Sequence, residues 1–199
     1  ETPVIVCSLE QDGIVGRGEG QPNPRYDETQ ESSIAEVEVL REVIEAGDMD
    51  RVALQEAMAP GAARNALDCA FWDLEAKRAG KRVWELAGLP EPEPVTTAFT
   101  LSVASPEGMA AAAEKNAHRP LIKMKLIGEG DLDRVRAVRA VLPETPIIVD
   151  ANEGWEPGMV DRFATELKTL QVQLVEQPLP ASADAALADL AHPLPFCAD

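Results

Sequence analysis

Residues 146–176 read PIIVDANEGWEPGMVDRFATELKTLQVQLVE, and the fold follows from them. PIIVD (146–150) and VQLVE (172–176) are strand-like runs, each ending on an acid, with a helical stretch from about Pro157 to Leu170 between them. The same alternation extends both ways. Upstream, VTTAFTLSV (95–103) precedes a helix from about Pro106 to His118, and LIKMKLI (121–127) precedes one from about Asp131 to Val141. Downstream, a helix from about Ala183 to Ala191 leads to PFCAD (195–199), the start of a fifth unit. Strict alternation every ~25–30 residues predicts a parallel sheet with right-handed crossovers.

The acids favour a closed sheet over an open one. Asp150, Glu176 and Asp199 recur on successive strand ends instead of clustering at one switch point. No glycine-rich phosphate loop follows the first strand, since GEG at 128–130 is too short. The expected class is therefore α/β, with the first half of a TIM-like (β/α)-barrel, incomplete in this chain. On a typical barrel length of about 250 residues, the natural protein is expected to continue for roughly 130–150 residues past Asp199.

Ahead of the barrel lies a different texture, read as a partial α+β cap. Pro3 to Glu10, a turn at Gln11-Asp12-Gly13 and Ile14 to Glu19 form an antiparallel hairpin. A Pro/Asn-rich loop follows, and helical patterns dominate from Ser32 to Gly88. Ile34, Val37, Leu40, Val43 and Ile44 form one apolar face, and Ala63, Leu67, Ala70, Phe71 and Leu74 a second. Trp84, Leu86 and Leu89 belong to a short last helix before Pro90, and Glu91-Pro92-Glu93-Pro94 is a linker. The predicted domains are residues 1–90 and 91–199.

Composition narrows the partners. With 18 Lys+Arg against 35 Asp+Glu, the net charge is −17, which argues against nucleic acid and anionic membranes. No apolar run approaches the ~18 residues needed to span a bilayer. Cys7, Cys69 and Cys197 are odd in number and lack metal-type spacing, as expected of reduced thiols in a cytoplasmic protein. A homo-oligomer remains open.

On a barrel's C-terminal face the three acids would converge and repel unless a hard divalent cation neutralised them; oxygen-only ligands suit Mg²⁺. Asn152 is placed to orient Asp150 or the metal, and Gln177-Pro178 to stiffen the turn after Glu176. In LIKMKL, Lys123 and Lys125 point to one side of the strand and Ile122 and Met124 to the other. Such a pair also suits an exposed edge strand. Beside strand-end acids, mutual repulsion and partial burial would instead bring a lysine toward general-base chemistry. His118 and His192 sit at helix ends and need no catalytic role.

The set LIKMKL, VDANEGW, VEQPLP and CAD resembles the enolase superfamily, specifically its muconate-lactonising subgroup. Residues 64–89 are similar to that subgroup's junction between cap and barrel. The resemblance implies Asp150, Glu176 and Asp199 as Mg²⁺ ligands, with Lys125 as the acid/base residue beside the substrate α-carbon. Lys123 would be its electrostatic neighbour near a substrate carboxylate. The implied reaction abstracts a proton α to a carboxylate through an enediolate. An epimerase also needs a second acid/base group, in this family a lysine on the sixth strand, beyond Asp199. The loop GEGQPNPRYDETQES (18–32) and TTAFTLSV (96–103) look most like dipeptide epimerases of the L-Ala-D/L-Glu type. Arg25 and Tyr26 are then expected on the cap side of the pocket, and Thr97 or Thr100 on the first barrel strand. A muconate cycloisomerase, an o-succinylbenzoate synthase and an N-acylamino acid racemase stay open within the family, as does a non-catalytic interaction module outside it.

Overall fold

The computed structural model describes residues 2–190 and 193–199, which fall into two compact units, Glu1–Glu93 and Pro94–Asp199. In the first, β1 (Ile5–Gln11) and β2 (Ile14–Gly20) pair antiparallel, with Gln11 opposite Ile14. Asp12 and Gly13, both at positive φ (55° and 77°), make the two-residue turn whose twist suits a hairpin. The helices are α1 (Gln30–Val39), α2 (Arg41–Glu45), α3 (Arg51–Ala57), α4 (Ala62–Ala79) and α5 (Val83–Leu86). Helix α4 lies against β2 unusually closely. A Cβ at Gly16, Gly18 or Gly20 would collide with the backbone oxygen of Ala70, Ala66 or Ala62 in turn. A two-residue strand repeat thus meets a four-residue helix repeat, both built of small residues.

The expected apolar face from Ile34 to Ile44 is broken at Leu40 into α1 and α2. Val37, Leu40 and Ile44 pack against a core of Ile5, Leu54, Leu67 and Phe71, while Ile34 and Val43 are exposed. Leu89, expected to pack with the last helix, is exposed.

The second unit is a five-stranded sheet in the order β3-β4-β5-β6-β7, every neighbouring pair parallel. Its elements are β3 (Phe99–Leu101), α6 (Pro106–Lys115), β4 (Ile122–Lys125), α7 (Asp131–Val141), β5 (Ile147–Asp150), α8 (Pro157–Thr169), β6 (Val172–Glu176) and β7 (Phe196–Cys197). Strictly sequential order without a switch point is how successive barrel units are laid down. One sheet face, with Leu101, Ile122, Met124, Ile147, Val149, Val172 and Val175, joins Met109, Val135, Phe163 and Leu167 in a continuous core. The outermost strands, β3 and β7, are shorter than their sequence runs. The helix expected over 183–191 is instead a 3₁₀ segment, Ala181–Asp189. Ala183, Ala186, Leu187 and Leu190 pack on the core from it, and threefold spacing suits the tighter helix. Ala191 and His192 lie outside the described residues.

Candidate active site

The opposite face of the sheet carries the polar residues. On β4 the alternation is complete: Ile122 and Met124 are wholly buried, whereas the side chains of Lys123 and Lys125 are 19% and 33% exposed. Neighbouring strands in a parallel sheet keep registered residues on one face. Lys125 is registered with Asp150, Asp150 with Glu176, and Glu176 with Cys197. Thr100 on β3 is registered with Lys123.

Glu176 reaches this face through an irregularity that the strand pattern alone does not announce. Ile147 pairs with Val172 and Val149 with Val175, so β6 has one more residue than β5 over the same interval. A bulge of this kind re-aims the side chains that follow it. Without it Asp150 would face Val175, and the glutamate would lie one place beyond.

The four charges form one connected group. Lys125 Nζ donates to Asp150 Oδ2 at 2.7 Å. Lys123 Nζ lies 2.9 Å from the same oxygen and 2.7 Å from Glu176 Oε1 and Oε2, bridging the two carboxylates. Asp150 Oδ1 accepts from the Asn152 backbone N–H at 2.9 Å. Burial pushes the Asp150 carboxyl up, but the bonds from Lys125, Lys123 and Asn152 outweigh it and hold the group below the usual carboxylate range. Burial likewise works against the Lys123 ammonium, yet Glu176 and Asp150 hold its proton and leave it above the ordinary lysine value.

The loops after these strands are backbone-strained. Asn152, Glu153 and Gln177 adopt positive φ (49°, 61° and 36°) without being glycine, a concentration typical of sites where geometry is imposed by the surroundings. For Asn152 the consequence is specific: its main-chain N–H, not its exposed side chain, holds Asp150. Gln177 is buried and joins two loops. Its Nε2 donates to Leu179 O and Asp184 Oδ1, and its Oε1 accepts from Asp199 N at 2.9 Å.

Of the sequence-predicted residues, the structure gathers Lys123, Lys125, Asp150 and Glu176. Asp199 is tethered through its backbone to Gln177, and among the described residues no three His, Cys, Asp or Glu side chains are grouped closely enough to hold a metal. Asp150 and Glu176 nonetheless supply oxygen-only, anionic donors from adjacent strand ends, which fits a hard divalent cation. Thr97 is exposed ahead of β3, while Thr100 shares the lysine face. Arg25 and Tyr26 belong to the first unit, in a single 3₁₀ turn capped by the Asn23 side chain. His118 lies in an exposed turn after α6.

Residues 1–88 match the family of the mandelate racemase/muconate lactonizing enzyme N-terminal domain, and residues 108–199 the enolase C-terminal domain-like family. The chain belongs to the enolase superfamily. This superfamily member is 42% identical, over its whole length, to the L-Ala-D/L-Glu epimerase of Escherichia coli, of which it covers 62%. It is 36% identical over 98% of its length to an N-acetyl-D-glutamate racemase from Pseudoalteromonas sp., again covering 62%. A crystal structure of an enolase family member from Agrobacterium tumefaciens, with homology to dipeptide epimerases and with bound sodium and L-Ala-L-Glu, superimposes with a TM-score of 0.93. Identity there is 46%, covering all of this chain and 60% of that one. The dipeptide epimerase from Enterococcus faecalis complexed with Mg and L-Leu-L-Tyr gives a TM-score of 0.86 at 25% identity, over 98% and 59% of the two chains. The superfamily member described here thus spans about three fifths of the length of these relatives. No helix among its described residues is long and apolar enough to cross a membrane.

Proposed function

We propose that this protein is a Mg²⁺-dependent epimerase of dipeptides that removes the proton α to a substrate carboxylate. The observation that carries the reading is the contact of Lys125 with Asp150 on a face where Lys123 already bridges Asp150 and Glu176. An amine base is far too weak for a proton α to a carboxylate unless the resulting enediolate is stabilised as it forms. Asp150, Glu176 and Asp199 would hold the Mg²⁺, which when bound supplies that charge stabilisation.

The chain's own residues divide the remaining work. Lys125 is the acid/base group: its amine lies on the polar face of the sheet, at the end of β4 and in contact with Asp150. Lys123 stays charged, because two carboxylates hold its proton, and lies beside the substrate carboxylate. Thr100, on the Lys123 face of β3, contacts the substrate. Asn152 and Gln177 set the Asp150 carboxylate and the loop carrying Asp199. Inversion at carbon needs a second acid/base group on the other side of the substrate.

Two relatives narrow the substrate by a shared chemistry. An Ala-Glu dipeptide and N-acetylglutamate are both glutamates acylated on the α-nitrogen, and this supports an N-acylated glutamate here, with the dipeptide first. N-acylglutamate racemisation is the second reading. The test is incubation of the protein, expressed from its complete gene, in D₂O with Mg²⁺ and either L-Ala-L-Glu, L-Ala-D-Glu or N-acetylglutamate. The first reading expects deuterium at the glutamate α-carbon of the dipeptides at a kcat/KM well above that for the acetyl compound. The reverse preference selects the second, and no exchange with any of them removes both.

A further inference from the structure

A second buried charge sits behind the site without touching it. Asp131, the first residue of α7, has no solvent exposure. Its carboxylate accepts from Ile127 N (3.1 Å to each oxygen), Gly128 N (2.7 Å), Trp155 Nε1 (2.9 Å) and Arg134 Nη1 (3.1 Å). Its bonds to Ile127 N and Gly128 N are local, within the loop that leads into its own helix. The bond to Trp155 is not, because Trp155 belongs to the loop after the neighbouring strand.

The connections continue on both sides. Arg134 Nε donates to Ala104 O in the loop after β3, and its Nη1 also donates to Glu129 O. The backbone N–H of Trp155 donates to Pro178 O in the loop after β6. The Asp131–Arg134 ion pair, the Trp155 indole and the Trp155 main chain therefore link four consecutive strand-end loops. Steric fit tightens the central pair: a Cβ on Gly128 would come within 2.9 Å of Gly154 O, and one on Gly154 within 2.8 Å of the Ile127 carbonyl carbon. Trp155 is itself pinned edge-to-face on Phe163, with ring centroids 5.1 Å apart.

The loops so joined are those that immediately follow Lys125 and Asp150. The geometry points to Asp131, with Arg134 and Trp155, as a positioning clasp that fixes the β4 lysines against the β5 carboxylate. Among the described residues no hydrogen bond or ion pair joins the three to the lysines or carboxylates of the site, so their influence runs through the loops. The functional part of this inference rests on the α-proton abstraction proposed above; the mechanical part does not.

Asp131→Ala removes every carboxylate bond, and Trp155→Phe removes only the indole N–H while keeping the ring on Phe163. In the protein expressed from its complete gene, Asp131→Ala is expected to raise amide hydrogen exchange at least tenfold in residues 122–130 and 150–156. The Trp155→Phe rise is smaller and centred on the same segments, with residues 5–80 unchanged in both. With an exchanging dipeptide, kcat falls about 10–100-fold for Asp131→Ala, as expected of a base displaced by an ångström or so. KM stays within about threefold, a split that general loosening of the fold would not give. Unchanged exchange in those segments, or a rise spread over the whole chain, overturns the clasp. Local exchange with unchanged kcat overturns its positioning role. If the wild-type protein removes no α-proton from any carboxylate offered, the functional reading fails and the exchange pattern alone decides the clasp.

Discussion

Replacing Asp150 by asparagine tests the charge arrangement of the site most sharply, because shape is kept and only charge is lost. The Asp150 side chain is wholly buried and accepts from Lys125 at 2.7 Å, Lys123 at 2.9 Å and Asn152 N at 2.9 Å. At an effective dielectric of about 20, each lysine contact is a gross attraction of roughly 6 kcal/mol, most of it offset by desolvation. The net value of a hydrogen bond to a charged group is nearer 1.5–3 kcal/mol, as an order of magnitude. Lys125 can regain water, so its share is discounted, and Lys123 keeps Glu176. Whichever way the amide is turned, its NH₂ group would also face a donor, either the lysine ammoniums or the Asn152 N–H. Asp150→Asn should therefore destabilise the second unit by about 2–3 kcal/mol. The assay is equilibrium urea unfolding in EDTA at pH 7, with Lys123→Met made alongside as a double-mutant cycle. The two substitutions should be strongly non-additive, since each removes the partner of the other. A loss below about 0.5 kcal/mol, the ordinary scatter of surface substitutions, or additive effects, would refute the reasoning.

Three further outcomes follow from the same structure. Asp150 is held below the usual carboxylate range, so its contribution is complete above about pH 4–5 and disappears as pH falls through the folded value; Lys123 is held above the usual range, so its contribution is complete below about pH 10 and disappears at higher pH. Thermal melts of the metal-free protein against pH should show both flanks, and Asp150→Asn should flatten the acid one. Arg139 donates to five backbone carbonyls, those of Leu142, Pro143, Thr145, Leu170 and Gln171, in the two loops that precede β5 and β6. Arg139→Ala should cost about 2–4 kcal/mol in urea unfolding with substrate kcat/KM little changed, because the residue lies at the strand starts and not at the strand ends. Gly18→Ala places a methyl group on the Ala66 carbonyl and should cost about 3 kcal/mol or more; Gly13→Ala, in open space at the hairpin turn, costs only the φ penalty of about 1 kcal/mol.

Much of this molecule was legible in sequence because its signals are local. Strand–helix alternation fixed the order of the second unit, and the period of two in LIKMKL placed both lysines on one face. What stayed hidden depends on partners distant in sequence or on backbone detail. The β6 bulge leaves no mark in VQLVE, which reads as a regular strand, yet it sets Glu176 opposite Asp150. Asn152 reads in sequence as a partner that orients Asp150, but nothing in DANEG shows that the contact is a main-chain N–H on a residue in left-handed conformation. Asp131 after GEG reads as an ordinary helix-start acid; its burial and its reach to Trp155 emerge only once two loops are folded together. The α4–β2 contact had a faint signal in Gly16-x-Gly18-x-Gly20, a repeat that a strand carries only where another backbone must approach.

The central claim is that Lys125 exchanges a proton with the substrate α-carbon. Its most direct measurement is α-deuterium incorporation into L-Ala-L-Glu and L-Ala-D-Glu in D₂O with Mg²⁺, followed by proton NMR, for the wild-type protein and for Lys125→Ala, with Mg²⁺ affinity of both checked by calorimetry. Exchange by the wild type, with a loss on the order of a thousandfold or more in Lys125→Ala for at least one of the two Glu epimers at unchanged metal affinity, is the predicted result. Exchange that survives Lys125→Ala within tenfold, for both Glu epimers of the dipeptide, would contradict the account.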